Sequence, residues 1–235
     1  MIFDAMIRFD NVHKSFGGVK VLDGVSFEVA EGEVLAIVGP SGTGKSVTLK
    51  HVVGLLSPDE GAVTVRDGAR IGYLFQGGAL LAWLTVRENV ALPLKETTNL
   101  AAAEIDACVD EALRAVGMED ASDKYPAEIS GGMVKRAGLA RAIVRKADAV
   151  LYDEPTSGLD PVTSRTIHRL IKKLNREHGI TSMVVTHDLF GACSFADRIL
   201  MLKDGRVVFA AAPDEFMASE KVEVRELVSA SKGEI

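Results

Sequence analysis

The segment Gly39–Ser46 has the residue types that bind phosphate. Its sequence is Gly-Pro-Ser-Gly-Thr-Gly-Lys-Ser, and the spacing of its glycines, lysine and hydroxyl residue is that of a phosphate-binding loop. Glycines let consecutive backbone N–H groups face an anion, and the positive end of a following helix strengthens the attraction. Lys45 would reach the β- and γ-phosphates, and the Ser46 hydroxyl would ligate Mg²⁺. The segment therefore predicts a MgATP site.

A glycine turn formed by chance is the alternative interpretation of this loop. The segment lies between the apolar run Val34–Val38 and a helical pattern that begins at Lys45, which is the context that phosphate binding needs. This context favours the nucleotide site. We predict nucleotide contacts from Gly39, Pro40, Ser41, Gly42, Thr43, Gly44, Lys45, Ser46 and Val47.

Two carboxylates follow a second apolar run. Asp153 and Glu154 come directly after Ala149–Tyr152. Asp153 suits a Mg²⁺-bound water, and Glu154 suits a general base that orients water for attack on the γ-phosphate. A solvated loop is the alternative, because many strands end in acidic residues. The phosphate-binding loop elsewhere in the chain favours the catalytic interpretation.

A second anion-binding motif precedes the helical run Val134–Val144. Ser130, Gly131 and Gly132 offer backbone N–H groups at the start of this helix. The first loop already holds the γ-phosphate of the chain's own nucleotide, so the second motif is most simply used on the nucleotide of another subunit. An ordinary helix N-cap at Ser130 is the alternative, and the local sequence alone favours it.

These residues must be positioned by strands and helices. All-apolar Val34–Val38 is typical of a buried parallel strand. Alternation predicts strands at Ile7–Val12 and Val19–Val29, with a possible turn at Asp23-Gly24. Further strands are expected at Val63–Val65, Ile71–Phe75, Ala149–Tyr152, Ser182–Val185 and Ile199–Leu202.

Helices are expected between these strands. Lys45–Leu56 should stop before Pro58, and Glu104–Val116 has an apolar face and a C-cap at Gly117. Thr163–His178 is amphipathic, and it is bounded by Pro161 and Gly179. The charged tail after Pro213 is expected to be helical. The order of elements predicts an α/β fold whose mostly parallel sheet is interrupted by a helical subdomain.

Composition limits the classes of function. The chain has 235 residues and 47% hydrophobic residues, which fits one α/β domain with an insertion. Its formal net charge of −6 makes nucleic acid a poor partner. Its two cysteines, Cys108 and Cys193, allow no disulfide framework beyond one bridge, and a reducing compartment is the simplest interpretation. We expect no signal peptide in Met1–Asp10 and no membrane-spanning run.

With these motifs in order, the chain resembles the ATP-binding subunits of ABC transporters over residues 7–215. Gly39–Ser46 is similar to Walker A, Ala149–Glu154 to Walker B, and Ile129–Met133 to the signature motif. Ser157–Asp160 resembles the D-loop of the family. Gln76 is similar to the Q-loop glutamine, His187 to the switch histidine, and Phe16 to the aromatic residue that stacks on adenine.

The resemblance implies a role for each of these residues. Glu154, His187 and Lys45 would be catalytic, with His187 as the γ-phosphate sensor. Ser46, Gln76 and Asp153 would bind Mg²⁺, and Gln76 would also link to the transmembrane partner. The residues implied to act on the partner's nucleotide are Ser130, Gly131, Gly132, Met133 and Asp160.

Alternative interpretations remain for three of these residues. His187 could be a satisfied histidine at a strand end, Asp160 could simply cap the next helix, and Phe16 could be a core aromatic. Met133 stands where the usual signature has glutamine, which leaves the hydrogen bonds of that glutamine without an equivalent.

Met133 and several longer stretches resemble one branch, the ATPases of Mce-associated phospholipid-trafficking importers. These stretches are Leu74–Leu81, Leu84–Val90 and Tyr125–Ile143. In that system the ATPase tail and helical subdomain contact a neighbouring ATPase and a small regulatory protein. The tail Pro213–Ile235 matches only loosely, and a frayed, solvated helix is its alternative.

The sequence thus predicts a P-loop NTPase of the ABC type. Its N-terminal antiparallel β subdomain and nucleotide-binding core cover residues 7–76 and 146–215, the helical subdomain 77–145, and the tail 216–235. Two copies would close around two MgATP and drive a permease at the cytoplasmic face of the inner membrane, with an Mce-domain protein as a further partner. The alternatives are a non-transport ATPase in DNA repair or translation and an inert ATPase homologue.

Overall fold

The N-terminal part of the chain is an antiparallel sheet. The structure, a computed structural model, describes residues 5–232. Three strands form this sheet in the order β2-β1-β4: β1 (Ala5–Phe16), β2 (Val19–Ala30) and β4 (Glu60–Val65). Gly17 and Gly18 make the tight turn between β1 and β2, and both have the positive φ that glycine adopts without steric cost. This sheet confirms the predicted antiparallel β subdomain.

A second, six-stranded sheet carries the core, in the order β5-β6-β7-β3-β8-β9. Its strands are β3 (Val34–Val38), β5 (Ile71–Leu74), β6 (Ala149–Asp153), β7 (Thr181–Val185), β8 (Arg198–Lys203) and β9 (Arg206–Ala211). Every pairing is parallel except that of β9 with β8. Each residue of β3, β6 and β7 is buried, because both faces of the sheet are covered.

The two faces of this sheet belong to two apolar clusters. In β3, Val34, Ala36 and Val38 point to the helical side, whereas Leu35 and Ile37 pack against the antiparallel sheet. This period of two is that of any strand, and here both sets are buried. The second cluster fixes the antiparallel sheet to the nucleotide-binding core.

Helices connect the core strands and form the inserted subdomain. Those on the core are α1 (Lys45–Val52), α5 (Pro161–His178) and α6 (Leu189–Phe195). The insert consists of α2 (Val86–Thr97), α3 (Ala102–Val116) and α4 (Gly131–Ile143), with short 3₁₀ turns at Glu119–Ala121 and Pro126–Glu128. Gly117 caps α3 with φ 65°, as the sequence predicts. The division at residues 76, 146 and 215 stays a prediction.

Two local predictions are wrong. Asp23-Gly24 is not a turn, because β2 runs through it; Gly24 has φ 73°, and the pairing with β1 shifts register between Lys14↔Leu22 and Val12↔Val25. Such a shift is a bulge, which glycine favours. The helix that starts at Lys45 ends at Val52, before the predicted Leu56.

The C-terminal segment is helical and partly packed on the core. It forms α7 (Pro213–Met217) and α8 (Val222–Lys232). Phe216 and Val224 are fully buried, so the fully solvated helix considered as an alternative for the tail is wrong for this part of it. Within residues 5–232, no helix is long and apolar enough to cross a membrane.

Candidate nucleotide-binding site

The candidate site residues leave the core sheet at the carboxyl ends of neighbouring strands. Gly39 follows β3, Asp153 ends β6, and His187 comes two residues after β7. Gln76 comes two residues after β5, the strand beside β6. In an open α/β sheet this edge forms the crevice where ligands bind. Residues that are far apart in the chain are thereby gathered at one edge.

The Gly39–Ser46 loop is built so tightly that it needs its glycines. A Cβ on Gly39 would lie 2.0 Å from the carbonyl oxygen of Leu202 on β8. A Cβ on Gly44, which has φ 94°, would lie 2.7 Å from Cδ2 of Leu22. The loop is thus held against both sheets. A backbone packed in this way can present its N–H groups without intervening side chains.

Lys45 is buried within this loop. Its Nζ donates to the carbonyl oxygens of Gly39 and Pro40, each at 2.8 Å. Burial lowers the pKa of the Lys45 ammonium, and the nearby carboxylates of Glu154 and Asp153 counteract this shift. The ammonium is therefore held at the loop by two carbonyl oxygens, and a phosphate oxygen can take their place as its acceptor.

Ser46 and Asp153 form the oxygen pair expected of a magnesium site. The Ser46 hydroxyl donates to Oδ1 of Asp153 at 2.7 Å, and the Tyr73 hydroxyl donates to Oδ2 at 3.2 Å. Burial raises the pKa of Tyr73, and the Asp153 charge adds to the rise, so Tyr73 is a donor here. Mg²⁺ is usually held by one or two carboxylates together with substrate phosphates and water. The donor set fits Mg²⁺, although residues 5–232 contain no cluster of three acidic, histidine or cysteine ligands.

Glu154 and His187 are in direct contact. Oε2 of Glu154 lies 2.8 Å from Nδ1 of His187. Glu154 has φ 48°, a conformation that is uncommon for residues other than glycine and is enriched at active sites. Its own N–H donates to the carbonyl of Val185 at the end of β7, at 2.9 Å. The main chain thus holds this carboxylate at the strand ends.

Gln76 joins this group through its main chain. Its carbonyl oxygen accepts from Nζ of Lys135, which also donates to the carbonyl of Glu154 at 3.1 Å. The Gln76 side chain is exposed. Sequence reasoning missed Lys135 and Tyr73, since a lysine in a helix and a tyrosine in a strand have no distinctive local pattern. The position of Lys135, two residues after the last residue of the signature motif, was the only feature of the sequence that could have pointed to it.

The second anion-binding motif lies at the start of α4. Ser130 is its N-cap, and its hydroxyl accepts from the N–H of Met133 at 3.3 Å. Gly131 is exposed, and a Cβ on Gly132 would lie 2.4 Å from Cγ2 of Thr163. The capping role considered as an alternative is therefore present, and Gly131 beside it is open to solvent.

Asp160 lies next to this motif. Its carboxylate caps α5 by accepting from the N–H groups of Val162 and Thr163 at 2.8 and 3.0 Å. The Thr163 side chain lowers the pKa of Asp160 by donating to the same carboxylate. Throughout residues 5–232, no hydrogen bond joins Asp160 or the Ser130–Met133 segment to the Gly39–Ser46 loop. A single chain thus contains both halves of the predicted site, the Gly39–Ser46 loop and the group formed by Ser130–Met133 and Asp160, but does not join them by hydrogen bonds.

The remaining predicted nucleotide contacts come from Phe16 and from the other residues of the Gly39–Val47 segment. Phe16 is 45% exposed at the end of β1, and Nζ of Lys14 lies 5.6 Å from the centre of its ring. The exposed ring excludes the core-aromatic alternative. Pro40, Ser41 and Gly42 are exposed, Thr43 donates to the carbonyl of Pro40 at 2.9 Å, and Val47 is half-buried.

A cavity of about 450 Å³ lies elsewhere, at the amino ends of β6 and β7. Its walls include Cys108 of α3, Val144, Asp148 and Leu174. It is remote from the loop, and the phosphate-binding geometry at the carboxyl ends decides the location of the candidate site.

Fold and site together define a class. A glycine loop between a buried strand and a helix, with a lysine, a hydroxyl and a strand-end carboxylate, is the arrangement of P-loop nucleotide hydrolases. The family model described as "ABC transporter" matches residues 22–157. The chain therefore belongs to the ABC transporter family.

Similar proteins agree with this assignment. The chain is 37% identical to Protein TRIGALACTOSYLDIACYLGLYCEROL 3, chloroplastic, of Arabidopsis thaliana, over 97% of this chain and 74% of that protein. It is 39% identical to Methionine import ATP-binding protein MetN of Bordetella pertussis, over 96% of this chain and 67% of that protein.

A solved structure is similar over most of the chain. The ATP-binding cassette MJ0796, described as a dimer in a post-hydrolysis state bound to ADP and Pi, superimposes with a TM-score of 0.80. It is 35% identical and covers 88% of this chain and 99% of its own. The chain is an ATP-hydrolysing subunit of an ABC transporter, with ATP and Mg²⁺ as its ligands.

Proposed function

We propose that this ATPase works as a dimer that closes around two MgATP, each chain completing the other's site. Each Gly39–Ser46 loop holds one nucleotide, with Ser46, Asp153 and Gln76 at its Mg²⁺. Phe16 stacks on the adenine. The contacts that support this assignment are the Ser46–Asp153 and Glu154–His187 hydrogen bonds at one sheet edge.

Hydrolysis in this proposal depends on Glu154 and His187. Glu154 acts as general base for the attacking water, and His187, in contact with it at 2.8 Å, senses the γ-phosphate. Lys45 exchanges its loop carbonyls for phosphate oxygens and neutralises charge there. The bound MgATP supplies the phosphoanhydride that is cleaved.

The dimer is supported by the separation of the two anion-binding motifs within one chain. Ser130, Gly131, Gly132, Met133 and Asp160 gather at the starts of α4 and α5. The start of α4, where Gly131 is exposed, can present N–H groups to an anion, whereas the first N–H groups of α5 donate to the Asp160 carboxylate. The similar MJ0796 structure is described as dimeric. We assign this group to the partner's nucleotide.

The permease would bind near Gln76 and the start of the helical subdomain. Trp83 is 72% exposed and Phe75 is 38% exposed, an unusual display for a surface that stays in water. A membrane partner there would hold the chain at the cytoplasmic face of the inner membrane. An Mce-domain protein and a small regulatory subunit are further proposed partners.

Phospholipid is the proposed cargo. The name of the Arabidopsis relative contains that of a glycolipid, and the stretches around Gln76 and the signature motif resemble the Mce-associated branch. The Bordetella relative is named for methionine import, so methionine is the competing cargo. The relatives described above are not named for DNA repair or translation, and the net charge of −6 also counts against nucleic acid.

The dimer is tested with Glu154→Gln. This change keeps the size of the side chain but removes the base, so we expect hydrolysis to fall by about 100-fold or more while ATP binding persists. Light scattering should then show an ATP-dependent dimer. Glu177→Gln, an exposed change on α5, is the control and should hydrolyse normally. A monomer at saturating ATP would contradict the proposal.

The cargo is tested by purification from membranes. Tagged chain is isolated with its permease in mild detergent, and lipids and amino acids in the complex are measured by mass spectrometry. Phospholipid enriched over a sample prepared without the tag supports the lipid assignment. Methionine enriched in its place would overturn it.

A further inference from the structure

Lys135 is a buried lysine in α4, the helix that follows the signature motif. The residue is 5% exposed, and its Nζ donates to the main-chain carbonyls of Gln76 and Glu154. A buried ammonium is costly unless it is paired, and these two carbonyls supply the pairing. No role that the family resemblance implies includes this residue.

Both carbonyls belong to residues proposed for catalysis. Glu154 has φ 48°, a conformation that persists only where the surroundings determine it. Its N–H is held by Val185 on β7, and its C=O is held by Lys135. The peptide groups on both sides of the Glu154 Cα are thereby fixed, one by the core sheet and one by the helical subdomain.

The segment after Gln76 is also attached to α4. Arg141 donates to the carbonyls of Gly78 and Ala79, at 2.9 and 2.6 Å. A Cβ on Gly78 would lie 2.7 Å from Cγ1 of Val134, so the segment packs directly on the helix. Residues 76–79 are therefore fixed to α4 in space, and Lys135 links this unit directly to Glu154.

We propose that Lys135 is a positioning residue for ATP hydrolysis, which holds Glu154 and Gln76 in their working relation through their main chains. This inference rests on the proposed role of Glu154. Helix α4 then serves two nucleotides: its start, at Ser130, is assigned to the partner's nucleotide, and Lys135 acts on the chain's own catalytic centre. One rigid element thus couples the two sites of the dimer.

The test is steady-state ATP hydrolysis by the full chain carrying Lys135→Met. Methionine keeps the bulk of the stem and removes both donated hydrogen bonds. We expect kcat to fall by roughly 10- to 100-fold with KM changed by less than about threefold, because misplacement of a catalytic group by about 1 Å has an effect of this size. Lys135→Arg, which keeps donors, should restore most of the rate.

Arg136→Met is the matched control. Arg136 is the next residue of α4 and also donates to two carbonyls, those of Val116 and Gly117, but these lie within the helical subdomain. Its loss should leave kcat within about twofold of normal. If both methionine variants lose the same activity, Lys135 is a structural tether only, and the inference is overturned.

Two further measurements separate the possible failures. Hydrogen exchange over residues 150–157 and 74–79 should be faster in Lys135→Met than in Arg136→Met, and equal rates would count against positioning. If Lys135→Met does not fold, Lys135→Leu, which also lacks a donor, takes its place with the same expected loss of kcat. Normal hydrolysis by Glu154→Gln refutes the proposed function, whereas normal hydrolysis by the Lys135 variants alone refutes only this inference.

Discussion

Single residues at the candidate site divide into those with a local pattern and those without one. Ser46 and Asp153 belong to motifs that the sequence displays, and the structure places their oxygens 2.7 Å apart. Tyr73 and Lys135 contact the same centre, but Tyr73 reaches Asp153 across 80 positions, and Lys135 reaches Gln76 across 59 positions and Glu154 across 19. Side chains that act through such long-range contacts cannot be recognised before the fold is known.

A prediction at this scale concerns Ser46→Ala. Its hydroxyl is one of the three protein groups on the proposed Mg²⁺, with Asp153 and Gln76, and its loss should raise the Mg²⁺ concentration for half-maximal hydrolysis by about tenfold. The measurement is a Mg²⁺ titration of ATPase activity at fixed ATP. Ser229→Ala in α8 is the control. Identical Mg²⁺ curves for the two variants would remove Ser46 from the metal site.

At the scale of elements, patterned segments were predicted well and their ends less well. Thr163–His178 was predicted from its apolar stripe and its Pro161 and Gly179 boundaries, and α5 spans Pro161–His178. The turn predicted at Asp23-Gly24 failed, since a glycine with positive φ suits a bulge as well as a turn. Pairing of β2 with β1 decides between a bulge and a turn, and the local sequence does not specify this pairing.

Asn89 illustrates an element held by one buried side chain. It is fully buried in α2, its Oδ1 accepts from the N–H of Leu81, and its Nδ2 donates to the carbonyls of Leu81, Leu84 and Thr85. It therefore fixes the turn that exposes Trp83.

Asn89→Ala should lower the free energy of unfolding by about 2–4 kcal/mol, because several buried backbone groups lose their partners. Urea denaturation measures the change. Asn99→Ala, on an exposed side chain, should stay within about 0.5 kcal/mol of the unmodified chain. A loss for Asn89→Ala no larger than that of Asn99→Ala would show that the network contributes little.

For the whole molecule, the α/β class and the helical insertion followed from the order of apolar runs. The strand order β5-β6-β7-β3-β8-β9 did not, because it depends on which runs become neighbours. That order places Asp153 between Gln76 and His187 at one edge. The chemistry could thus be listed from the sequence, whereas its assembly needed the sheet.

Global stability should depend on pH through His168, a buried histidine of α5 that packs against Phe195. Burial lowers the pKa of His168 below its usual 6.5, and the Asp188 carboxylate at 4.0 Å counteracts this. The unfolded chain therefore binds a proton here first as pH falls. The free energy of unfolding should drop below pH 6.5, by at most about 1.4 kcal/mol per pH unit, and level off below the folded-state pKa.

The measurement is urea denaturation between about pH 7 and about pH 5, a range that includes the usual histidine pKa. His168→Gln should flatten the slope in this window. His178→Gln, the same change on an exposed histidine of the same helix, is the control. Parallel slopes for all three proteins would contradict the assignment.

The pairing of Lys45 with its own loop has a consequence for which anions can compete with the nucleotide. Any phosphate that recruits this ammonium must displace the carbonyls of Gly39 and Pro40. A single inorganic phosphate offers few new contacts in exchange, whereas a triphosphate reaches the lysine and the backbone of the loop at once. The loop should therefore bind a triphosphate more tightly than a single phosphate. Inorganic phosphate at roughly millimolar concentration, where weak ligands begin to bind, should inhibit this ATPase poorly.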